Sequence, residues 1–232
     1  MRTQHIIPAI IPDSLDHLQS RLKEIHGSVK RVQIDVMNGT YAPTTSWPYV
    51  GTEREVFEAV RRHDQGLPYW QDFEFEVDLL VQNPEEMIVN WALAGAACLI
   101  IHTESTKKLK EIQKECYERR LEMALALKPS TDIAVLEPYV EQALFVQVMG
   151  SDRIGYHGVT LEEGVVEKIR EIHKRWPQVT IGVDIGVNAE TIPELCKAGA
   201  RRFAAGSAVF NFGSPEGAVA HLEDIVSKHI KQ

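Results

Sequence analysis

Three carboxylates stand late in three apolar runs of this chain. They are Asp35 in Gln33-Ile34-Asp35-Val36-Met37, Asp78 in Glu76-Val77-Asp78-Leu79-Leu80 and Asp184 in Val183-Asp184-Ile185-Gly186. In an extended strand alternate residues share a face, so Gln33 and Asp35 face away from Ile34 and Val36. A carboxylate on the interior face of an apolar strand is costly unless it is partnered. Three of them converging on one place require that a proton be retained or a cation be held. Either outcome is chemistry: proton transfer or metal binding. The competing reading for Asp35 is a cap on the following loop.

A second group of residues suits an anion. Gly150-Ser151-Asp152-Arg153-Ile154-Gly155-Tyr156-His157-Gly158 follows one apolar run, Gly186 follows another, and Gly206-Ser207-Ala208 follows the last. Glycines let backbone N–H groups approach a phosphoryl group, and a helix N-terminus adds partial positive charge. Each glycine alone reads equally well as a turn. Their joint placement after the last three runs is the signal.

The elements that must position these residues follow from hydrophobic patterning. Short apolar runs at 5–11, 31–36, 73–81, 98–102, 122–127, 144–149, 179–184 and 202–205 read as buried parallel strands. Amphipathic stretches at about 14–26, from Thr52 past Val60, from Asn83 onward, and at about 105–118, 131–139, 160–174, 189–198 and 214–230 read as helices. Asp13 or Ser14 can cap the first, Asn83-Pro84-Glu85-Glu86 opens the third, and Gly199 closes the seventh. Strand–helix alternation requires a parallel sheet with right-handed crossovers. Eight units within 232 residues predict an α/β single-domain (β/α)8 TIM barrel over residues 1–232; an open doubly wound sheet is the competitor. In a barrel, chemistry sits at the C-terminal strand ends, with phosphate often near the last two loops.

Composition narrows the partners. Hydrophobic residues make up 44% of the chain, which excludes a disordered protein. The formal charge of −8 with no basic cluster argues against nucleic acid and anionic membranes. Three scattered cysteines, Cys98, Cys116 and Cys196, form neither a disulfide framework nor a zinc pattern. Without a secretory pattern at the N-terminus, the expected location is the cytoplasm.

The chain resembles ribulose-phosphate 3-epimerase and related sugar-phosphate epimerases. The resemblance is carried in order by Ile34-Asp35-Val36-Met37-Asn38-Gly39, Asn83-Pro84-Glu85, Ala94-Gly95-Ala96, Ala126-Leu127-Lys128-Pro129-Ser130-Thr131, Val183-Asp184-Ile185-Gly186-Val187-Asn188 and Ala205-Gly206-Ser207-Ala208-Val209-Phe210. It implies a ketose-phosphate 3-epimerase acting on a small-molecule sugar phosphate, with Asp35 and Asp184 as catalytic acid and base on opposite faces of the sugar. It also implies a homo-oligomer. Gly155, Tyr156, His157, Gly158, Gly186, Gly206 and Ser207 would hold substrate and phosphate, and Met37 and Met149 would remain of a sulfur-rich cap.

The departures from the family pattern are specific. Gln33 and Asp78 stand where the family has metal-binding histidines, Ala9 replaces a serine, Ile185 replaces a glycine and Leu80 replaces a methionine. Three readings follow. A divalent metal could bind through Gln33, Asp35, Asp78 and Asp184, an oxygen-only set that suits Mg²⁺ or Mn²⁺ better than Zn²⁺. The site could instead work without metal, with His102 or His157 supplying charge. Or a sugar-phosphate-binding barrel could survive without epimerase activity; a lyase using Lys128 is a further alternative.

Overall fold

The structure is a computed structural model and describes residues 4–156 and 158–230. Eight parallel strands close into a barrel in sequence order. They are β1 (Ile6–Ile10), β2 (Arg31–Met37), β3 (Glu74–Leu80), β4 (Cys98–His102), β5 (Glu122–Leu127), β6 (Val146–Met149), β7 (Ile181–Asp184) and β8 (Arg202–Ala205). The helices are α1 (Leu15–Glu24), α2 (Glu53–Arg61), α3 (Ile88–Ala94), α4 (Leu109–Arg119), α5 (Val165–Arg175), α6 (Ile192–Ala198), α7 (Ser207–Phe210) and α8 (Pro215–Ile230). The expected barrel is therefore observed, and the strand ends fall within two residues of the hydrophobic runs.

Local chemistry explains the boundaries. Ser14 caps α1 by accepting a hydrogen bond from the His17 N–H at 3.1 Å. Gly95 closes α3 in the left-handed conformation at φ 92°. One expected element is absent: residues 131–139 form no α-helix. Two 3-10 turns, Ile133–Leu136 and Val140–Gln142, connect β5 to β6 instead. Pro138 has no N–H to continue an α-helical ladder, and the Glu137 N–H bonds the Ala134 carbonyl three residues back.

Side-chain alternation divides the core into two. Outward residues such as Ile34, Val36, Val77, Leu79, Leu99 and Val183 pack under the helices. Inward residues such as Met37, Leu80, Cys98, Ile100, Phe145 and Met149 fill the barrel. At its lower end the buried carboxylate of Glu76 accepts hydrogen bonds from Arg31 (3.2 Å) and Arg202 (2.7 Å). That pairing offsets the cost of burying a charge there. The next layer up along the same strands holds the site.

Candidate active site

The β2–β3 register sets Asp35 beside Asp78 and Gln33 beside Glu76. Asp184 ends β7 in register with Met149 of β6 and Ala204 of β8. One ligand oxygen from each of Asp35, Asp78 and Asp184 lies within 4.8 Å of the others, and all three side chains are buried. Three strands thus bring the three sequence-predicted carboxylates to one point.

N–H donors hold the carboxylates in place. The Gln33 Nε2 donates to Asp35 Oδ1 at 2.8 Å and to Asp184 Oδ2 at 3.1 Å. The Ile185 backbone N–H donates to Asp184 Oδ1 at 2.7 Å. Asp78 pairs with the His102 Nε2 at 2.9 Å and accepts from the Gln147 Nε2 at 3.0 Å. Gln147 was not anticipated from the sequence, although a glutamine between Phe145 and Met149 on the inward face of an apolar strand was the available signal.

The electrostatics follow from burial. Burial raises the pKa of Asp35 well above the usual carboxylate range, and the charges of Asp184 and Asp78 add to the shift. Asp184 is pushed up to about 7 by burial and by Asp78, against the opposing hydrogen bonds from Gln33 and Ile185. Burial disfavours a charged imidazole at His102, but Asp78 outweighs it and the pKa is raised. The Tyr41 ring packs 5.2 Å from the His102 ring.

Asp35 and Asp184 both line a cavity of about 550 Å³ at the C-terminal ends of the strands. Its walls include Met149, Gly155, Tyr156, Gly158, Gly186, Gly206 and Ser207. Thr160, Leu161 and Thr191 also line it and were not expected. His157 lies outside the described residues. Met37 is fully buried below the Thr44 hydroxyl, which lies 3.1 Å from its sulfur, and is not among the lining residues. Lys128 is also off the wall, its ammonium 4.5 Å from the Tyr41 ring centre. Trp47 packs with Phe57 and Trp91 in the outer core.

The turn after β7 is strained. Ile185 and Gly186 have φ 76° and 75°. A β-branched residue in the left-handed region costs about 1–3 kcal/mol. The turn is also crowded, since a Cβ at Gly186 would lie 2.6 Å from the Leu161 nitrogen.

Sequence comparison agrees with this architecture. A sequence model described as the ribulose-phosphate 3 epimerase family matches residues 5–210. The chain belongs to the ribulose-phosphate 3-epimerase family. Ribulose-phosphate 3-epimerase of Schizosaccharomyces pombe is 29% identical over 227 residues, covering 96% of this chain and 94% of that protein. The Bacillus subtilis protein of the same name is 28% identical, covering 94% and 97%. Membership makes the chain an isomerase-class enzyme. Among solved structures, 3-keto-L-gulonate-6-phosphate decarboxylase of Vibrio cholerae aligns with a TM-score of 0.71 at 14% identity, over 98% of this chain and 99% of that one. 3-Hexulose-6-phosphate synthase of Salmonella typhimurium aligns with a TM-score of 0.71 at 15% identity, over 97% and 99%. These two establish the fold only.

The residues of this ribulose-phosphate 3-epimerase family member fit a divalent cation. Three buried carboxylates within reach of one point form a hard oxygen set. Gln33 presents its amide nitrogen to that point, so its oxygen would join the set only if the amide turned over. Among the described residues no helix is long and apolar enough to cross a membrane.

Proposed function

We propose that the enzyme interconverts ribulose 5-phosphate and xylulose 5-phosphate by two-aspartate proton transfer at C3. The observation that carries this reading is the placement of Asp35 and Asp184, from β2 and β7, on the wall of one cavity with a shared hydrogen-bond donor between them. Inversion at a carbon needs one group on each face of the sugar. One group must start ionised and the other protonated.

The environment supports that asymmetry. Asp184 accepts two N–H bonds, from Gln33 and Ile185, which favour its ionised form. Asp35 accepts one from Gln33 and feels the charges of both Asp184 and Asp78. Asp184 is therefore the base in the resting state and Asp35 the acid. The C3 proton passes to the Asp184 carboxylate, the electron pair delocalises onto the C2 oxygen, and the Asp35 carboxyl returns a proton to C3 from the opposite face. The two aspartates then hold exchanged protonation states, ready for the reverse reaction.

Asp35, Asp78 and Asp184 would hold a divalent cation, with Mg²⁺ or Mn²⁺ preferred, while Gln33 keeps its amide N–H between Asp35 and Asp184 and stays out of the ligand set. The bound ion would stabilise negative charge developing on the substrate oxygens. Gly155, Tyr156, His157, Gly158, Gly186, Gly206 and Ser207 are assigned to the substrate and its phosphoryl end. Met149 covers the sugar, with Met37 packed behind it.

The test is conversion of ribulose 5-phosphate by purified protein, followed by NMR. Appearance of xylulose 5-phosphate supports the reading. No conversion of any pentulose or hexulose phosphate overturns it in favour of a binding-only barrel.

A further inference from the structure

We propose that Ser46 is a positioning residue for Asp35: its buried hydroxyl takes the place of a neighbouring strand and so fixes where the Asp35 carboxyl meets the sugar. The proposal rests on the reading of Asp35 and Asp184 as an acid/base pair and names what aims one member of it.

β3 accompanies β2 up to Met37, which pairs with Leu80. β1 accompanies β2 only as far as Ile34, which pairs with Ile10. Beyond that point the backbone of β2 is met instead by Ser46, on the loop that follows the strand. The Met37 N–H donates to Ser46 Oγ at 3.0 Å, and the Ser46 hydroxyl donates to the Asp35 carbonyl at 2.7 Å. The Ser46 N–H donates to the Met37 carbonyl at 3.0 Å. The Trp47 carbonyl, a second acceptor near the hydroxyl, is farther away at 3.3 Å. Buried backbone groups need such partners. Ser46 is fully buried, so removing its hydroxyl leaves the Met37 N–H and the Asp35 carbonyl to find others.

Ser46 is itself held firmly. The next residue, Trp47, donates its N–H to the Pro12 carbonyl at 2.7 Å, just past β1, and its ring packs edge-on against Phe57 and Trp91. The serine therefore ties the end of β2 to β1 and to the outer core. Asp184 does not share this support; its local donor is the Ile185 N–H at 2.7 Å. Loss of the hydroxyl should disturb one face of the sugar and spare the other. A misplacement of about 1 Å can cost a reacting group about 10²-fold in rate.

The experiment follows ribulose 5-phosphate in D₂O by NMR and takes the initial rates of two events. Deuterium entering C3 of unconverted ribulose 5-phosphate needs Asp184 alone. Appearance of xylulose 5-phosphate needs Asp35 as well. In Ser46→Ala, conversion is expected to fall about 10–100-fold and exchange by less than about threefold, so the exchange-to-conversion ratio rises. Ser46→Thr keeps the hydroxyl and should return the ratio to the wild-type value. Ser46→Cys, which fills the site with a weaker hydrogen-bonding group, carries the test if Ser46→Ala does not fold. Equal loss of both events, as a general loosening of the barrel would give, overturns the proposal. So do unchanged rates in Ser46→Ala, or a threonine variant with the same ratio as alanine. Those outcomes, with a wild type that converts the sugar, leave the two-aspartate reading standing. A wild type in which neither event occurs overturns both.

Discussion

Asp35 and Asp184, which end up facing one cavity from β2 and β7, accept hydrogen bonds from the same nitrogen, the Gln33 Nε2, at 2.8 and 3.1 Å. The shared donor fixes their separation and keeps two buried carboxyl groups from meeting unscreened. Removing it while preserving volume is informative. Gln33→Leu should lower kcat by about 10–100-fold, the usual scale for loss of a group that orients a reacting one. It should also move the acid limb of the pH profile upward, because two carboxylates without a donor hold protons more tightly. Unchanged kinetics in this variant would show that the bridge is incidental.

Metal-stripped protein should lose stability as pH rises. The folded-state pKa of Asp184 is raised to about 7 from an ordinary 3.8, and that of Asp35 is also raised. The native state therefore binds more protons than the unfolded chain between about pH 4 and 7. Unfolding free energy falls across that window as pH increases. Thermal melts in chelator should show Tm falling from pH 5 to pH 7.5, and Asp184→Asn should flatten the slope. A rising Tm over the same interval contradicts the assignment of buried, proton-holding carboxyls.

Cation binding should register as stabilisation of the folded state, independent of turnover. Mg²⁺ or Mn²⁺ in excess should raise Tm at pH 7.5 in proportion to the logarithm of concentration. Asp78→Asn should remove most of that response, since it takes one of the three carboxylates out of the set. No shift with any divalent ion would exclude a cation from the three-aspartate point.

Gly186→Ala should be damaging without touching a carboxylate. The position has φ 75°, and an added Cβ would lie 2.6 Å from the Leu161 nitrogen. A stability loss of about 1–3 kcal/mol is expected from the forced left-handed conformation and the crowding. Phosphate-bearing ligands should bind more weakly. Wild-type stability and affinity in this variant would show that the loop can re-route.

Much of this was legible in the residues. The barrel follows from apolar runs spaced by amphipathic stretches, because buried parallel strands tolerate few polar residues and those that occur stand out. Asp35, Asp78 and Asp184 were visible for that reason. The link after β5 has helical spacing over 131–139 yet forms two 3-10 turns, because Pro138 denies an α-helix a ladder bond. The mutual hydrogen bonds were not legible: Gln147 reaches Asp78 across the barrel interior from β6 to β3, and no local pattern encodes that separation. Met37 shares a face with Asp35, yet it is fully buried and does not line the cavity.

The central claim is that Asp35 and Asp184 deliver and remove one proton at the same carbon. Ribulose 5-phosphate incubated with enzyme in D₂O should acquire deuterium at C3, in both epimers. Asp35→Asn and Asp184→Asn should each slow that incorporation by about 10²–10⁴-fold while still binding the sugar phosphate. Wild-type epimerisation without deuterium at C3, or an asparagine variant that exchanges at the wild-type rate, would contradict the account.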